Sequence, residues 1–364
     1  MNKYKIVHIT SSLCRGGAEY VLHSLVHGLQ QSYEQTVIYM HDGPYRIDIE
    51  RLGIPCIKVS GLLMQYDHLF FVRLYQVIKR INPDLIHTLL WAGTIAGRVI
   101  GSLLSIPVVS MYHGNIDQQG YVRNICDRYT FSWSTINGAV SPGVAASVQA
   151  LVSDAQLPVI YNGIDASVIP VQHERDAINC THDQYVIGAV GRLVSIKRFD
   201  LLINAFYSVQ KKYAHARLCI IGVGPELSSL RELVVRYDMC DRVHFIVDVP
   251  AADYYHLFNC FVLPSPREGV SIALLEALRA GIPSIVIAPE KHPVIEHAVN
   301  GIIVKRVDAT MLAQAIENLI LNKQQAAVLS YNGINTVKNC FNRDVMCAQY
   351  HKMFLSVIAP SKAA

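Results

Sequence analysis

The amino-acid sequence predicts an α/β protein built from two Rossmann-like domains, and three observations carry that reading. At 364 residues the chain exceeds what one hydrophobic core organises, so two domains are expected, each with a sizeable core. Short apolar runs alternate with segments of helical period, and the rhythm starts twice, at residues 5–10 and again at 185–190. Charged residues make up only 16% of the chain and the mean hydropathy is positive, which favours parallel strands buried on both faces.

In chain order, residues 5–10 form a short apolar strand, and Ser11 to Glu19 form the loop behind it. Val21, Leu22, Leu25 and Leu29 then follow at helical spacing. The adjacent Gly16 and Gly17 let the backbone approach an anion, or simply make a tight turn. Strands are expected at 36–40 and 54–59, around a helix at 45–52. Leu69 to Ile81 is an amphipathic helix ending in Lys79-Arg80, cations that suit a helix C-terminus. Its basic end and apolar face could touch a bilayer, although packing on a sheet explains the same pattern. The fourth strand, residues 82–88, carries His87, which reads as a satisfied strand-end histidine.

Residues 85–112 are the most apolar stretch, with Arg98 their only permanent charge. Gly93, Gly97, Gly101 and Pro107 divide them into strand, helix and strand, against a membrane span. The fifth strand, 107–112, delivers His113 to the sheet's C-terminal edge, where open α/β sheets bind ligands. A sixth strand at 136–141 leads into a short helix from Pro142, residues 159–165 close the first domain as a strand, and the polar run 172–176 reads as linker.

In the second half, the turn after strand 185–190 holds Arg192 and Lys197, a fork donor and a point charge able to clamp a diphosphate together. A solvated basic loop is the competing reading. A helix follows with Leu201, Leu202, Ala205 and Phe206 inward, then a strand at 218–221 and the turn Gly222-Val223-Gly224-Pro225-Glu226, too short for a dinucleotide fingerprint. After strands at 243–249 and 260–263 comes a proline-stiffened turn with Glu268 and Gly269, and a helix that Ser271 can cap and Gly281-Ile282-Pro283 stop. Such a helix start suits a phosphate just before Ile272. A carboxylate beside it, Glu268 or Glu276, would be repelled by phosphate and is better suited to hydroxyls; the alternative pairs Glu276 with Arg279 along the helix. A last strand at 301–304 and helices around 312–319 and 345–357 end the chain.

A formal charge of +4 is too mild to argue for nucleic acid. Nine cysteines, without a C-x-x-C pair, read as reduced and mostly buried in a cytoplasmic protein, and the N-terminus offers no signal-peptide core.

Glu268 and Glu276 with seven residues between them, Gly269 after the first and Leu274-Leu275-Glu276-Ala277 around the second resemble the signature of the retaining family-4 glycosyltransferases. The resemblance implies the GT-B fold: an acceptor-binding domain at 1–168, a nucleotide-sugar domain at 169–340, a deep cleft between them, and a C-terminal helix from 341 crossing back to the first domain. It implies that Glu268 contacts donor-sugar hydroxyls, that Glu276 binds the ribose, and that Gly269, Val270, Ser271 and Ile272 supply amides to the donor. It further implies that Arg192 and Lys197 stabilise the departing nucleoside diphosphate without a metal or cofactor, that Gly16 and Gly17 face the diphosphate, and that His113 lies beside the reacting sugar, with residues 115–121 facing the acceptor. The donor would be a UDP- or GDP-sugar and the acceptor a glycan or lipid-linked glycan of bacterial surface polysaccharide or lipopolysaccharide synthesis, with cytoplasmic or peripheral inner-membrane placement. Two positions depart from the pattern: Arg198 stands where glycine is common, and Val247-Asp248-Val249-Pro250 lacks the usual glycine. A sugar-nucleotide epimerase of the same fold and a noncatalytic sugar-nucleotide-binding subunit are the alternatives.

Overall fold

The computed structural model describes residues 3–61, 69–116, 120–165, 173–178, 180–289 and 291–361. The chain divides into two compact units, Met1–Asp165 with Asn342–Ala364, and Ala166–Phe341. The border expected at 168/169 falls outside the described residues, as do residues 117–119 of the expected acceptor loop.

The first unit runs β1 (Tyr4–Ser12), α1 (Gly17–Gly28), β2 (Tyr33–His41), α2 (Pro44–Arg51), β3 (Cys56–Lys58), α3 (Phe70–Ile81), β4 (Leu85–Leu89), α4 (Trp91–Leu104), β5 (Val108–Tyr112), α5 (Tyr121–Thr130), β6 (Ile136–Ala139) and α6 (Pro142–Gln149). All strand pairs are parallel, in the order β3-β2-β1-β4-β5-β6, so the order reverses between β1 and β4. β4 and β5 are fully buried, with His87, Thr88 and Ser110 buried among their apolar residues, which explains why neither carries a permanent charge. Of α3, Phe70, Leu74 and Ile78 are buried in the core under this sheet, which accounts for its amphipathic pattern by packing.

The glycines of α4 serve close approach to the sheet. A Cβ on Gly93 would stand 2.7 Å from the Ile9 carbonyl oxygen, and one on Gly97 or Gly101 would run into Thr88 or Val108. That proximity carries Arg98 into the interior, where it is 0% exposed. Its guanidinium donates to Ser134 Oγ at 2.9 Å, Asp127 Oδ1 at 2.9 Å, Thr130 Oγ1 at 3.2 Å, Tyr112 Oη at 2.8 Å and Asn137 Oδ1 at 2.6 Å. The one charge of the apolar stretch is therefore a hub joining α4, α5, β5 and β6. Arg98→Met leaves Asp127 buried without its cation and is expected to lower the unfolding free energy by about 3 kcal/mol. Adding Asp127→Asn should recover part of that; a denaturation midpoint unmoved by Arg98→Met would contradict the hub. Among the described residues no helix is long and apolar enough to cross a membrane.

The second unit runs β7 (Tyr185–Val190), α7 (Phe199–Lys212), β8 (Ala216–Ile221), α8 (Leu227–Arg236), β9 (Val243–Ile246), β10 (Cys260–Leu263), α9 (Ile272–Arg279), β11 (Ser284–Ile287), β12 (Ile302–Val304), α10 (Ala309–Leu321) and α11 (Lys323–Cys340). Its parallel sheet has the order β12-β11-β10-β7-β8-β9, the same pattern as the first, with the reversal between β7 and β10. The last helix, α12 (Arg343–Ser361), belongs to the first unit. There His351 Nδ1 meets Tyr33 Oη at 2.8 Å, Phe354 packs edge-on to Tyr33, and Arg343 pairs with Asp165.

Three expectations need correction. Residues 159–165 form no strand but only isolated bridges, Ala139 with Val159 and Ile164 with Asn342, because no neighbouring run continues the ladder. Gln172 lies outside the described residues, and the rest of the polar run is not a free linker: Arg175 donates to the carbonyls of Thr181 at 3.2 Å and Gln184 at 2.6 Å and to Asn259 Oδ1 at 3.2 Å. The cysteines are all free, but only Cys180, Cys219, Cys260 and Cys347 are buried, while Cys14, Cys240 and Cys340 are exposed.

Candidate functional site

In the second unit the reversal of strand order sets the turns after β7 and β10 side by side, the crevice where α/β sheets place ligands. The first turn is held rigidly. Leu193 N–H donates to Val223 O at 2.9 Å, Glu226 N–H donates to Leu193 O at 3.0 Å, and a Cβ on Gly222 or Gly224 would run into the backbone of Gly191 or Leu193. The Gly-x-Gly-Pro-Glu turn is thus a packing device that clamps the turn bearing Arg192 and Lys197.

Arg198 follows with φ +53°, the left-handed region where glycine costs nothing and other residues pay about 1–2 kcal/mol. Asp248, with φ +56°, repeats this at the other departure from the expected pattern. At both places the chain keeps the turn that glycine favours without the glycine. Arg198 spends its side chain on Asp200, at 3.1 and 3.2 Å.

Lys197 reaches across to the second turn and donates to Glu268 Oε1, and the buried Ser265 hydroxyl donates to the same oxygen. Arg192 is exposed. The two predicted residues Lys197 and Glu268 are therefore brought into contact, from positions 71 residues apart.

His292, which no sequence motif flagged, lies within electrostatic reach of Glu268. Its Nδ1 accepts the N–H groups of Val294 at 3.2 Å and Ile295 at 3.0 Å, so the neutral ring carries its proton on Nε2. Burial pushes its pKa down to about 4, against the opposing pull of Glu268.

Helix α9 opens beside this pair. Ser271 occupies the N-cap position with φ −70° and ψ 121°, but its hydroxyl accepts no hydrogen bond from the first turn, contrary to the capping expected from its residue type. Its carbonyl instead takes the Leu275 N–H at 3.1 Å. Gly269, Val270, Ser271 and Ile272 thus lead into a helix start without a side-chain cap, where an anion is electrostatically favoured. Gly281, at φ +73°, ends the helix as expected. Glu276 sits one turn in, where burial raises its carboxyl to about 7 despite the opposing effects of Tyr255 and Arg279. Removal from water therefore governs Glu276 more than its attraction to Arg279 does, and the two are not a simple solvated pair along the helix.

In the first unit, Gly16 and Gly17 lie after β1, next to the reversal with β4. Gly16 is extended, with φ −160° and ψ 165°, so no unusual conformation demands glycine; a Cβ would instead press on the Glu19 carboxylate, which accepts from Ser12 Oγ at 2.7 Å. His113 follows β5, and both ring nitrogens are buried without a partner among the described residues. Burial lowers its pKa to about 4, so it is a neutral imidazole at neutral pH.

Behind it, β1 and β4 pair in a register that sets His8 opposite His87. Gln35 donates its amide to Val26 O at 2.9 Å, so its oxygen accepts from His8 Nε2 at 3.1 Å. His8 Nδ1 is then bare and must accept from His87 Nδ1, 2.9 Å away, which leaves His87 Nε2 as a buried acceptor. His87 is strongly neutralised by this burial and by its neighbours His8 and His113.

Residues 15–168 match the family model described as Glycosyltransferase Family 4, and residues 170–336 match the one described as Glycosyl transferases group 1. An uncharacterized glycosyltransferase of Haemophilus influenzae is 30% identical over 139 residues, 37% of this chain and 39% of that protein, so the match spans well under half of that relative. A lipopolysaccharide core biosynthesis glycosyltransferase of Rhizobium meliloti is 24% identical over 94% of this chain and 96% of its own length. The crystal structure of Anabaena HepE in complex with UDP and glucose superposes with a TM-score of 0.86 at 18% identity, covering 97% of this chain and all of that one, and so shares its fold. With one family model on each half and a six-stranded parallel sheet in each unit, this chain belongs to the family-4 glycosyltransferases, whose fold is GT-B.

Proposed function

We propose that the chain transfers a sugar, with retention of anomeric configuration, from UDP-sugar to a glycan or lipid-linked acceptor of bacterial surface polysaccharide synthesis on the cytoplasmic side. The observation that carries this is the Lys197–Glu268–Ser265 constellation at the strand reversal of the second unit, beside the uncapped start of α9.

Breaking the bond to a nucleoside diphosphate leaves negative charge on phosphate as positive charge grows on the sugar ring. Groups already aimed at that phosphate lower the barrier without reorganising. Lys197, Arg192 and the amides from Gly269 to Ile272 take that role, with no metal or cofactor required. Glu268 accepts from donor-sugar hydroxyls and Glu276 from the ribose. In the first unit, His113 is assigned as a neutral hydrogen-bonding group toward the sugar, and Gly16 and Gly17 as backbone contacts of the donor. The departing phosphate takes the proton of the incoming hydroxyl. UDP is favoured over GDP by the ligands in the HepE structures, a property of that protein carried here as a proposal.

A panel of UDP- and GDP-sugars tests the reading by thermal stabilisation. A true donor at 100 times its dissociation constant adds about 2.7 kcal/mol. With that donor and a bacterial membrane extract, release of UDP coupled to labelled glycolipid is expected. Stabilisation by no sugar nucleotide would overturn the proposal, and interconversion of sugar nucleotides without transfer would make the chain an epimerase.

A further inference from the structure

Helix α5 is inverted relative to an ordinary surface helix. Its polar residues Asp127 and Thr130 point inward and are held by the buried Arg98, by hydrogen bonds of 2.9 and 3.2 Å. Its apolar residues point outward: Tyr121 is 81% exposed, Val122 70% and Tyr129 77%, and Trp133, just beyond the helix, is 46% exposed. Tyr121, Ile125 and Tyr129 recur every fourth residue with Val122 beside them, so they share one face. Arg128 lies exposed on that face. Arg123, also exposed, sits on the flank with its guanidinium 5.2 Å from the Trp91 ring centroid. The only acid of the helix, Asp127, is turned away. The Arg98 hub thus fixes the helix with its oily side toward solvent, which a mere propensity for helix would not do.

We propose that this face of α5 docks on an anionic lipid surface. Tyrosine and tryptophan combine an apolar ring with a polar tip and settle at the headgroup level, and arginine on the same face meets anionic lipid. The strip is one ten-residue helix long, with exposed arginine and no outward acid, so its charge complements an anionic lipid surface. Of the apolar residues from Leu69 to Ile81, by contrast, Phe70, Leu74 and Ile78 are spent on the core and Leu69 and Val72 are left exposed.

The test is co-sedimentation of the full chain with vesicles of phosphatidylcholine alone and of phosphatidylcholine containing one-third phosphatidylglycerol. Wild type is expected on the anionic vesicles. The triple variant Tyr121→Ser, Val122→Ser, Tyr129→Ser should lose at least about tenfold in apparent affinity, and Arg128→Gln about fivefold at low salt. Circular dichroism melting should leave both variants folded, since all four positions are exposed. Wild type that stays off anionic vesicles, or variants that bind as well as wild type, would overturn the proposal. So would light scattering that shows a dimer dissociated by the triple variant, which would give the face to a second copy of this chain. UDP stabilisation, measured separately on the same variants, should be unchanged, so failure of lipid docking and failure of the donor reading are distinguished.

Discussion

Acidifying the protein from pH 7 to pH 5 is expected to unfold its first unit before the second. Three histidines of that unit are held neutral by burial: His8 and His113 with pKa values lowered to about 4, and His87 lowered well below the ordinary 6.5. A base whose folded pKa is depressed binds fewer protons folded than unfolded. The stability it contributes is therefore complete above pH 6.5 and is lost as the pH falls toward 4. A shift from 6.5 to about 4 removes about 2 kcal/mol per histidine by pH 5. Because His8 and His87 share a hydrogen bond their losses do not simply add, and a total on the order of 5 kcal/mol is expected, comparable to the whole stability of a typical domain.

Each unit has a counterweight, for burial raises the Asp127 carboxyl of the first as it raises the Glu276 carboxyl of the second. His292, lowered to about 4, loses stability in the same window. Glu276, raised to about 7, works in the opposite direction: its contribution is full at low pH and disappears as pH rises through about 7. Hydrogen exchange read on peptides from β1, β4 and β5 against peptides from β7, β8 and β10 measures the difference. Equal protection of the first-unit strands at pH 5 and pH 7 would show that the histidines are not the acid-sensitive element.

What the amino-acid sequence discloses about this molecule follows the range of the interactions involved. Strands such as β5 and β7 are legible because burial on both faces writes a largely apolar run into consecutive residues. The end of α9 is legible because Gly281 and Pro283 act locally. Arg98 stands out as an anomaly, but its partners at Tyr112, Asp127, Thr130, Ser134 and Asn137 come from β5, α5 and β6 and leave no pattern near it.

The same holds for His8 and His87, which meet only through strand register, and for His292, which reaches Glu268 from the far side of β11 in sequence. Residue type fails differently at Ser271: it marks where the helix begins but not which way the hydroxyl turns. Helix α5 escapes notice because its outward face is apolar, so its periodicity suggests burial where the structure has solvent. The spacing of Glu268 and Glu276 is readable, whereas the pairing of Glu268 with Lys197 requires the strand reversal that puts β7 beside β10.

Substituting the two members of that pair is expected to have opposite effects on nucleotide binding and a common effect on transfer. On the proposed reading, Lys197→Ala removes a cation from the diphosphate and also leaves the Glu268 carboxylate, 14% exposed at its side chain, facing it without compensation. UDP affinity should fall by about 30- to 100-fold, more than one lost charge-assisted hydrogen bond alone would take. Turnover should fall by about 10²–10³-fold, the usual cost of losing one preorganised donor at developing charge.

Glu268→Gln keeps the shape and the sugar-facing oxygen but frees Lys197 from its competitor, so UDP should bind as well as to wild type or tighter. Transfer should nevertheless fall by about 10²-fold, because the carboxylate proposed to accept from the sugar as its ring becomes positive is gone. The double variant separates a ligand site from a structural strut. If the pair exists to hold a diphosphate, Glu268→Gln restores part of the UDP affinity lost in Lys197→Ala, and the two effects are not additive. If the pair merely braces the two turns, both single variants weaken UDP binding alike and lower the melting temperature together. Isothermal titration of UDP across the four proteins, with melting curves of each, decides between them.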